Sequence, residues 1–302
     1  MEKSIEIILN AHSGSRRAQE MRQILERVLG ESGRPYRISV AEGKHIGRLA
    51  RERAATECEI LVAGGGDGTI CTVAQAALEA GRTLGVLPLG TFNYFAKSLR
   101  LPLELEDAAQ VILKGRRVLM PVIDLDGRLV LNNASIGIHP AVLLRRRKLY
   151  RRWGRNQLNA YLSILLTAFQ SPPRLRVRLA TEKGEVIRET PLVMVCANAF
   201  QMESFGLAGL ECLDSAKFAL YVAPPARRTT IFRLGLRVVV RRLRQGMDYE
   251  AICASDVIIE ALRRPRLRVA VDGELEWRNS PLRFRMAAKP LQVLAPANEI
   301  GS

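Results

Sequence analysis

The first 100 residues alternate short apolar runs with stretches in which apolar residues recur every three or four positions. Such runs are typical of buried strands, and the longer spacing indicates amphipathic helices. The runs predict strands at Ile5–Leu9, Tyr36–Val40, Ile60–Ala63 and Leu84–Leu87. The spacing between them predicts helices over about Arg16–Leu29, His45–Thr56 and Ile70–Ala80, and another that ends before Pro102. Strands separated by helices of this length predict a parallel sheet covered on both faces.

From about Val118 onward the apolar runs become more numerous, with little helical spacing between them. They lie at Val122–Ile123, Leu129–Asn133, Leu175–Leu179, Leu192–Ala197, Phe218–Val222, Val257–Ala261 and Leu267–Val271. This pattern predicts a second, mainly antiparallel β domain with helices around Asn156–Phe169 and Thr229–Arg244.

The length of 302 residues suits two domains. The change of pattern divides them into residues 1–118 and residues 119–286. The last apolar run, Leu291–Leu294, fits either domain, so the segment 287–302 is a candidate addition to the first.

The chain is strongly basic, with 46 Lys and Arg against 30 Asp and Glu, a formal charge of +16 and a pI near 10.3. This balance indicates a polyanionic partner, which is a nucleic acid, an anionic membrane surface or a phosphorylated substrate. The segment Arg145–Arg155 concentrates cations around Tyr150 and Trp153. It fits either a solvated face or a surface that meets lipid headgroups. No sequence pattern of a nucleic-acid-binding fold accompanies it, so no nucleic acid is expected.

Two negative observations bear on location. The five cysteines are scattered without CxxC spacing, which predicts neither disulfides nor a zinc site and fits a reducing cytosol. No apolar run approaches the roughly 18 residues of a membrane span. We therefore expect a cytoplasmic protein that associates with membranes peripherally.

Three consecutive glycines followed by an aspartate stand out directly after the third predicted strand, in the sequence AGGGDGT of Ala63–Thr69. Glycines between a strand and a helix let backbone amides face an anion. The turn matches neither GxxxxGK[ST] nor GxGxxG. Asp67 beside phosphates would hold Mg²⁺ or accept a proton from an attacking hydroxyl. Alternatively, the turn is structural and Asp67 caps the helix. A second loop, Pro88–Asn93, follows the next strand and is expected to converge with the first.

Four motifs in this order resemble those of the diacylglycerol kinase catalytic family, which includes bacterial lipid kinases and the sphingosine and ceramide kinases. The motifs are Asn10-Ala-His-Ser-Gly14, Gly65-Gly-Asp-Gly-Thr69, Gly90-Thr-Phe-Asn93 and Asp272-Gly-Glu274. The resemblance implies an ATP-dependent lipid kinase. It also implies an α/β nucleotide-binding domain with a parallel sheet, similar to phosphofructokinases and NAD kinases, and a mainly antiparallel β-sandwich domain for the lipid.

The resemblance also implies roles for individual residues. Glu274 would be the proton acceptor, and Asp67 would organise Mg²⁺ or assist as base, so the identity of the base stays open. Asp124 would join the Mg²⁺ and water network. The residues implied in binding ATP are Asn10, Ser13, Gly14, Gly65, Gly66, Asp67, Gly68, Thr69, Gly90, Thr91 and Asn93.

Three departures from the family pattern keep alternatives open. Ala11 replaces a proline, Tyr94 stands where an aspartate is frequent, and Leu213–Phe218 lacks the Asp-Gly pair that carries a structural Mg²⁺ in some members. The rival functions are a soluble NAD kinase-like or sugar kinase, and a basic lipid- or nucleic-acid-binding protein that has lost its chemistry. The expected partners are a lipid substrate and an anionic membrane, with homo-oligomer formation left open.

Overall fold

The structure, a computed structural model, describes residues 4–11, 15–154, 162–164, 166–167, 174–225, 228–240 and 242–297. The chain forms two compact units. Unit 1 comprises the described residues up to Val122 and again from Ala287 onward, and unit 2 runs from Ile123 to Met286. The division predicted after residue 118 falls inside a strand of unit 1, so the observed division lies four residues later.

Unit 1 contains one six-stranded sheet with the order β2-β1-β3-β4-β18-β5. Its strands are β1 (Ile5–Asn10), β2 (Tyr36–Ala41), β3 (Ile60–Gly65), β4 (Thr83–Pro88), β5 (Arg116–Met120) and β18 (Leu291–Ala295). The first five in the order are parallel, as predicted, whereas β5 is antiparallel to β18. The final apolar run is therefore a strand of unit 1.

Five helices accompany this sheet: α1 (Ser15–Gly30), α2 (Gly43–Ala54), α3 (Asp67–Ala80), α4 (Tyr94–Ser98) and α5 (Leu105–Lys114). Every residue of β3 and β4 is buried, which is why these strands are continuous apolar runs rather than alternating ones. Helix α5 was not predicted, because two alanines carry most of its buried face.

Unit 2 is built on two antiparallel six-stranded sheets, in the orders β10-β9-β14-β17-β6-β7 and β13-β12-β11-β8-β15-β16. Apolar side chains from both sheets form one buried core. The strands are β6 (Ile123–Leu125), β7 (Arg128–Val130), β8 (Asn133–Gly137), β9 (Leu175–Thr181), β10 (Gly184–Thr190), β11 (Leu192–Cys196), β12 (Phe218–Val222), β13 (Glu250–Ala254), β14 (Asp256–Ala261), β15 (Arg266–Val271), β16 (Glu274–Asn279) and β17 (Leu282–Met286).

The helices of unit 2 correct two expectations. The described helices are α6 (Ile138–Trp153), α7 (Ala199–Phe205), α8 (Leu210–Asp214) and α9 (Arg228–Val239). The basic segment that starts at Arg145 lies on α6 as far as Trp153, and the sequence did not predict this helix. Helix α9 ends five residues before the predicted Arg244, because the chain turns there so that Asp248 can pair with Arg237. The helix predicted over Asn156–Phe169 lies mostly outside the described residues.

The cysteines give a further correction. Cys212 of α8 and Cys253 of β13 form a disulfide, although their spacing had predicted none. They are 41 residues apart in sequence and meet only because the fold packs α8 beside the β12–β13 pair. Cys58, Cys71 and Cys196 are buried and belong to no disulfide of the described residues. None of the described helices has both the length and the apolar character that a membrane crossing requires.

Candidate active site

The order of the strands in unit 1 marks one place as a ligand site. From β1 the chain moves to β2 on one side, and it then returns to β3 on the other side. Ligands of open parallel sheets bind at the carboxyl ends of the strands at such a reversal. Asn10 ends β1 and the glycine turn ends β3, so both motifs lie at this point.

The glycines of the turn are required by close approaches of the backbone. A Cβ atom on Gly65 would lie 2.6 Å from Cβ of Thr69. A Cβ atom on Gly90 would lie 2.6 Å from Cα of Gly66, so the two glycine loops touch, as the sequence predicted. Since helix α3 begins at Asp67, its positive end also faces this junction.

Side chains join the two loops and the adjoining strand. Oδ1 of Asp67 accepts a hydrogen bond of 3.1 Å from the backbone N–H of Phe95, in the first turn of α4. Oδ1 of buried Asn93 accepts one of 2.9 Å from the N–H of Gly90. Nδ2 of Asn10 donates to Oγ1 of Thr69 over 2.8 Å. The loops are therefore held in one conformation by polar contacts.

The remaining residues of unit 1 that the sequence predicted to bind ATP lie in different places. Gly68 lies in the first turn of α3, and Thr91 is exposed at the tip of the second loop. Ser13 and Gly14 lie outside the described residues. Tyr94, which stands where an aspartate is frequent, stacks its ring on Phe92 with 5.5 Å between centroids. An aromatic pair occupies the position of the missing carboxylate.

The late Asp-Gly-Glu motif forms the tip of a hairpin in unit 2. Asp272 and Gly273 connect β15 to β16 with φ angles of 47° and 83°, the positive values of a tight two-residue turn. The Asp272 side chain is buried and accepts three backbone hydrogen bonds of 2.7–3.2 Å from Leu131, Asn132 and Asn133. The hairpin tip is thus fixed to β7 and β8, and Glu274 is the first residue of β16.

Glu274 lies among positive charges. Nη2 of Arg128 approaches Oε2 of Glu274 to 3.3 Å, and the Glu274 side chain is 53% exposed. The pKa of this carboxyl is raised, chiefly by partial burial. The charges of Arg128 and Arg147 lower the pKa, and those of Asp272 and Glu276 raise it. Arg146 and Arg147 belong to α6, and Nη2 of Arg146 would lie 3.6 Å from a Cβ atom on Gly273, so part of the basic segment lies beside the hairpin. The raised pKa suits a group that must take a proton.

Asp124 is engaged in an ion pair. One carboxylate oxygen lies 2.8 Å from Nη2 of Arg285, and the other accepts a hydrogen bond of 2.5 Å from the N–H of Gly127. A cation at this carboxylate would compete with Arg285. The geometry therefore favours a structural role for Asp124 in the β6–β7 turn and the neighbouring β17.

A buried polar network beneath the hairpin carried no signal in the sequence. Nδ2 of Asn198 donates to Oδ1 of Asn132 over 2.7 Å, and Nδ2 of Asn133 donates to Oε1 of Gln201 over 2.8 Å. Single amides in strand-like segments have no characteristic spacing, so these residues could not be identified as supports of Asp272. They hold β8 and α7 together where Asp272 binds the backbone.

The chain is similar to known proteins of one kind. Residues 4–125 match the family model of the diacylglycerol kinase catalytic domain. A relative from Yersinia enterocolitica serotype O:8, named "Probable lipid kinase YegS-like", is 42% identical over 94 residues, which is 30% of this chain and 32% of that protein. A relative of the same name from Yersinia pestis (strain Pestoides F) is 40% identical over the same shares. The match thus spans about a third of the curated relatives' length.

Solved structures extend the likeness over the whole fold. One described as "a putative diacylglycerol kinase" from Bacillus anthracis str. Sterne has a TM-score of 0.77 at 18% identity, covering 97% of both chains. A diacylglycerol kinase structure from the same organism has a TM-score of 0.69 at 16% identity, again covering 97% of both. At these identities the likeness establishes the fold alone.

Proposed function

From the match of residues 4–125 to the family model of the diacylglycerol kinase catalytic domain, and from the motifs, we propose that the chain belongs to that family and is an ATP-dependent lipid kinase. It transfers the γ-phosphoryl group of ATP to a hydroxyl of a diacylglycerol-like or related lipid. The acceptor stays in the membrane, and the protein works at the membrane surface. The single observation that carries this proposal is the contact between the two glycine loops at the strand reversal.

The contact supports phosphate binding because it brings backbone amides and a helix N-terminus to one place without side chains in between. Asp67 lies at the same junction. A carboxylate beside polyphosphate requires a cation, so the donor set fits Mg²⁺, with Asp67 as the residue that would hold it. Bound there, Mg²⁺ would neutralise charge on the phosphates.

Glu274 is the proposed general base. The lipid hydroxyl oxygen forms a bond to the γ-phosphorus, the bond from that phosphorus to the bridging oxygen of ADP breaks, and the hydroxyl proton passes to the Glu274 carboxylate. The raised pKa of Glu274 supports this role. Asp67 is the alternative base, although one of its oxygens already accepts from Phe95.

Membrane action has its own support in the charge of +16 and in α6. Lys148, Arg151, Arg152 and Trp153 are exposed on the last turns of that helix. Each cation near an anionic surface contributes about 1 kcal/mol of attraction. Tryptophan favours the headgroup layer. These side chains suit an approach to the bilayer that holds the acceptor.

The test is to incubate the protein with labelled ATP and a panel of lipids in mixed micelles, and to identify the labelled product. Transfer to one lipid class supports the proposal and names the acceptor. Label on NAD or a sugar without any lipid would establish the soluble kinase instead. ATP binding without transfer to any acceptor would favour the rival that kept the fold and lost the chemistry.

A further inference from the structure

Helix α9 displays a row of apolar side chains to solvent. Phe232, Leu236 and Val240 are 38%, 47% and 51% exposed. They are spaced four residues apart, so the first two lie one above the other on α9 and Val240 continues the row just past its end. The free-energy cost of hydrating such a row favours a surface that covers it.

The other side of α9 is anchored to the protein. Ile231 is only 3% exposed, and Gly235, one turn later, is also buried. The helix therefore has a fixed orientation in which the apolar row faces outward. A helix that did not pack on the protein would be exposed on all sides, whereas α9 buries one side and exposes the other.

A fourth apolar side chain is positioned beside the row by a partly buried ion pair. Nη1 of Arg237 lies 2.6 and 2.7 Å from the two carboxylate oxygens of Asp248. Asp248 also accepts a hydrogen bond of 3.0 Å from the N–H of Arg244. These bonds fold residues 242–248 back against α9. Met247, 53% exposed, then lies with its sulfur 3.4 Å from Nη1 of Arg237.

Exposed cations accompany the four apolar side chains in the same segment of the chain. Arg233, Arg242 and Arg244 are exposed, and within the described part of the chain none of them forms an ion pair. Two classes of side chain thus share one surface, which we name the α9 platform: the apolar Phe232, Leu236, Val240 and Met247, and the cationic Arg233, Arg242 and Arg244.

We propose that the α9 platform inserts its apolar side chains into the interface of an anionic bilayer, while its arginines contact the lipid phosphates. A helix of 12 residues cannot cross a membrane, and it suits a position in the plane of the interface. Uncompensated arginines oppose a second copy of this basic chain and favour an anionic partner. This inference rests on the proposed lipid kinase function only because that function gives a reason for the protein to bind a membrane.

Insertion differs from adsorption by charge in its response to salt. High salt screens the attraction of arginines for phosphate, whereas burial of apolar side chains persists. Co-sedimentation with vesicles of phosphatidylserine and phosphatidylcholine, without ATP, should leave residual binding at about 0.5 M NaCl, where the Debye length is about 4 Å. The double variant Leu236→Gln and Val240→Gln should lose that residual binding at least tenfold.

A matched control changes two exposed apolar side chains elsewhere, Leu119→Gln on β5 and Ile187→Gln on β10. The control should bind vesicles as the unaltered protein does. Equal loss in both double variants, or no loss in the α9 variant, overturns the proposal. If the unaltered protein is a dimer in gel filtration and the α9 variant is a monomer, the platform is a dimer interface and the proposal is overturned. Strong binding to RNA that excludes vesicles would also overturn it.

A direct readout of depth uses Leu236→Trp. Its added fluorescence should shift to the blue on anionic vesicles and be quenched by lipids brominated on their acyl chains. An unshifted, unquenched signal from vesicle-bound protein overturns insertion. The α9 variant should also keep its transfer rate to a lipid dispersed in detergent. If the unaltered protein transfers to no lipid while the added fluorescence of the Leu236→Trp variant is still quenched, the kinase proposal fails and the insertion proposal stands.

Discussion

At the scale of single residues, Glu274 and Asp272 have different roles although they stand two positions apart. Asp272 is buried and its carboxylate binds backbone amides, whereas Glu274 is half exposed and its carboxylate faces Arg128. The first is a support and the second is available for chemistry. Substitutions at the two positions should therefore separate stability from turnover.

Glu274→Gln keeps the shape of the side chain and removes the proposed base. We expect turnover to fall roughly 10²-fold or more with little change in ATP affinity. In the unaltered protein the base must be deprotonated, and its pKa is raised. The rate should therefore rise with pH through a value above that of an ordinary glutamate and then level off. Rate measurements over pH check this.

Arg128→Gln is the companion variant. Arg128 lowers the pKa of Glu274, so its removal should move the rising limb of the pH profile to higher pH. If Glu274→Gln keeps the original rates and the original profile, the base is Asp67, and Asp67→Asn should then be inactive.

Asp272→Asn removes a charge that three backbone N–H groups share. Hydrogen bonds to a charged group are each worth about 1.5–3 kcal/mol, so we expect the free energy of unfolding of unit 2 to fall by about 3 kcal/mol. Urea denaturation measures it. The control is Asp256→Asn, which breaks an exposed ion pair with Arg283 and should cost less than about 1 kcal/mol. Equal losses would show that Asp272 is not a support.

The sequence identified residues whose chemistry depends on local spacing and missed those whose role depends on distant partners. The glycines and Asp67 follow a strand directly, so the sequence predicted that they meet the second glycine loop, which the structure shows, and a phosphate site there stays a prediction. Asn132 and Asn198 bind each other although they are 66 residues apart in the sequence. Asn198 and Gln201 are joined by a hydrogen bond at the buried start of α7. No local sequence pattern encodes either contact. The predicted Mg²⁺ role of Asp124 came from its resemblance to a family residue, whereas its ion pair with Arg285, 161 residues away, could not be predicted from local sequence.

At the scale of elements, the two glycine loops form one structural unit because their backbones touch, and we propose that they bind ATP together. Gly90→Ala places a Cβ 2.6 Å from Cα of Gly66, so the loops must move apart. We expect ATP affinity to fall at least tenfold in a folded protein, measured by calorimetric titration. Gly43→Ala is the control, since nothing lies within 4 Å of its new Cβ, and it should bind ATP normally. Normal affinity in Gly90→Ala would make the loops merely structural.

Elements of unit 1 were more predictable than those of unit 2. Fully buried parallel strands read as continuous apolar runs, and the helices between them carry periodic apolar faces. The apolar pattern did not predict helix α6, because its arginines and lysine interrupt the apolar spacing and only Pro140 and Leu143 are buried along it. Strands β10 and β16 were missed because most of their residues are not buried.

At the scale of the whole molecule, the charge of +16 should produce adsorption that salt weakens. Changing Lys148, Arg151 and Arg152 to Gln removes three exposed cations without touching Arg146 or Arg147, which lie near the hairpin. At low salt we expect affinity for anionic vesicles to fall about a hundredfold, since each cation contributes about 1 kcal/mol. The difference should shrink as salt rises. Vesicle co-sedimentation over a salt series measures both.

The control removes equal charge from α2, through Lys44, Arg48 and Arg51 changed to Gln. If net charge alone drives adsorption, both triple variants will weaken it equally, and the α6 surface will have no special role. If α6 meets the membrane, the α2 variant will retain most of its affinity.

The arrangement of the whole chain was the least predictable level. A run such as Leu291–Leu294 predicts a buried strand, but it does not predict which strands lie beside it in the sheet. Pairing of β18 with β4 and β5 connects positions more than 170 residues apart, and only the packed sheet decides it. The change of apolar pattern predicted two units. It did not predict that the chain returns from unit 2 to unit 1 at Ala287.

That returning strand has a consequence for synthesis. β18 lies between β4 and β5, so until Leu291–Ala295 leaves the ribosome one edge of β4 is open and β5 has no partner strand in the sheet. The ribosome must first translate the 170 residues between Met120 and Leu291, which takes roughly 10–30 s at the usual rates of elongation. Throughout that interval the nascent chain exposes strand edges that can pair with other chains. Unit 1 begins first and is completed last.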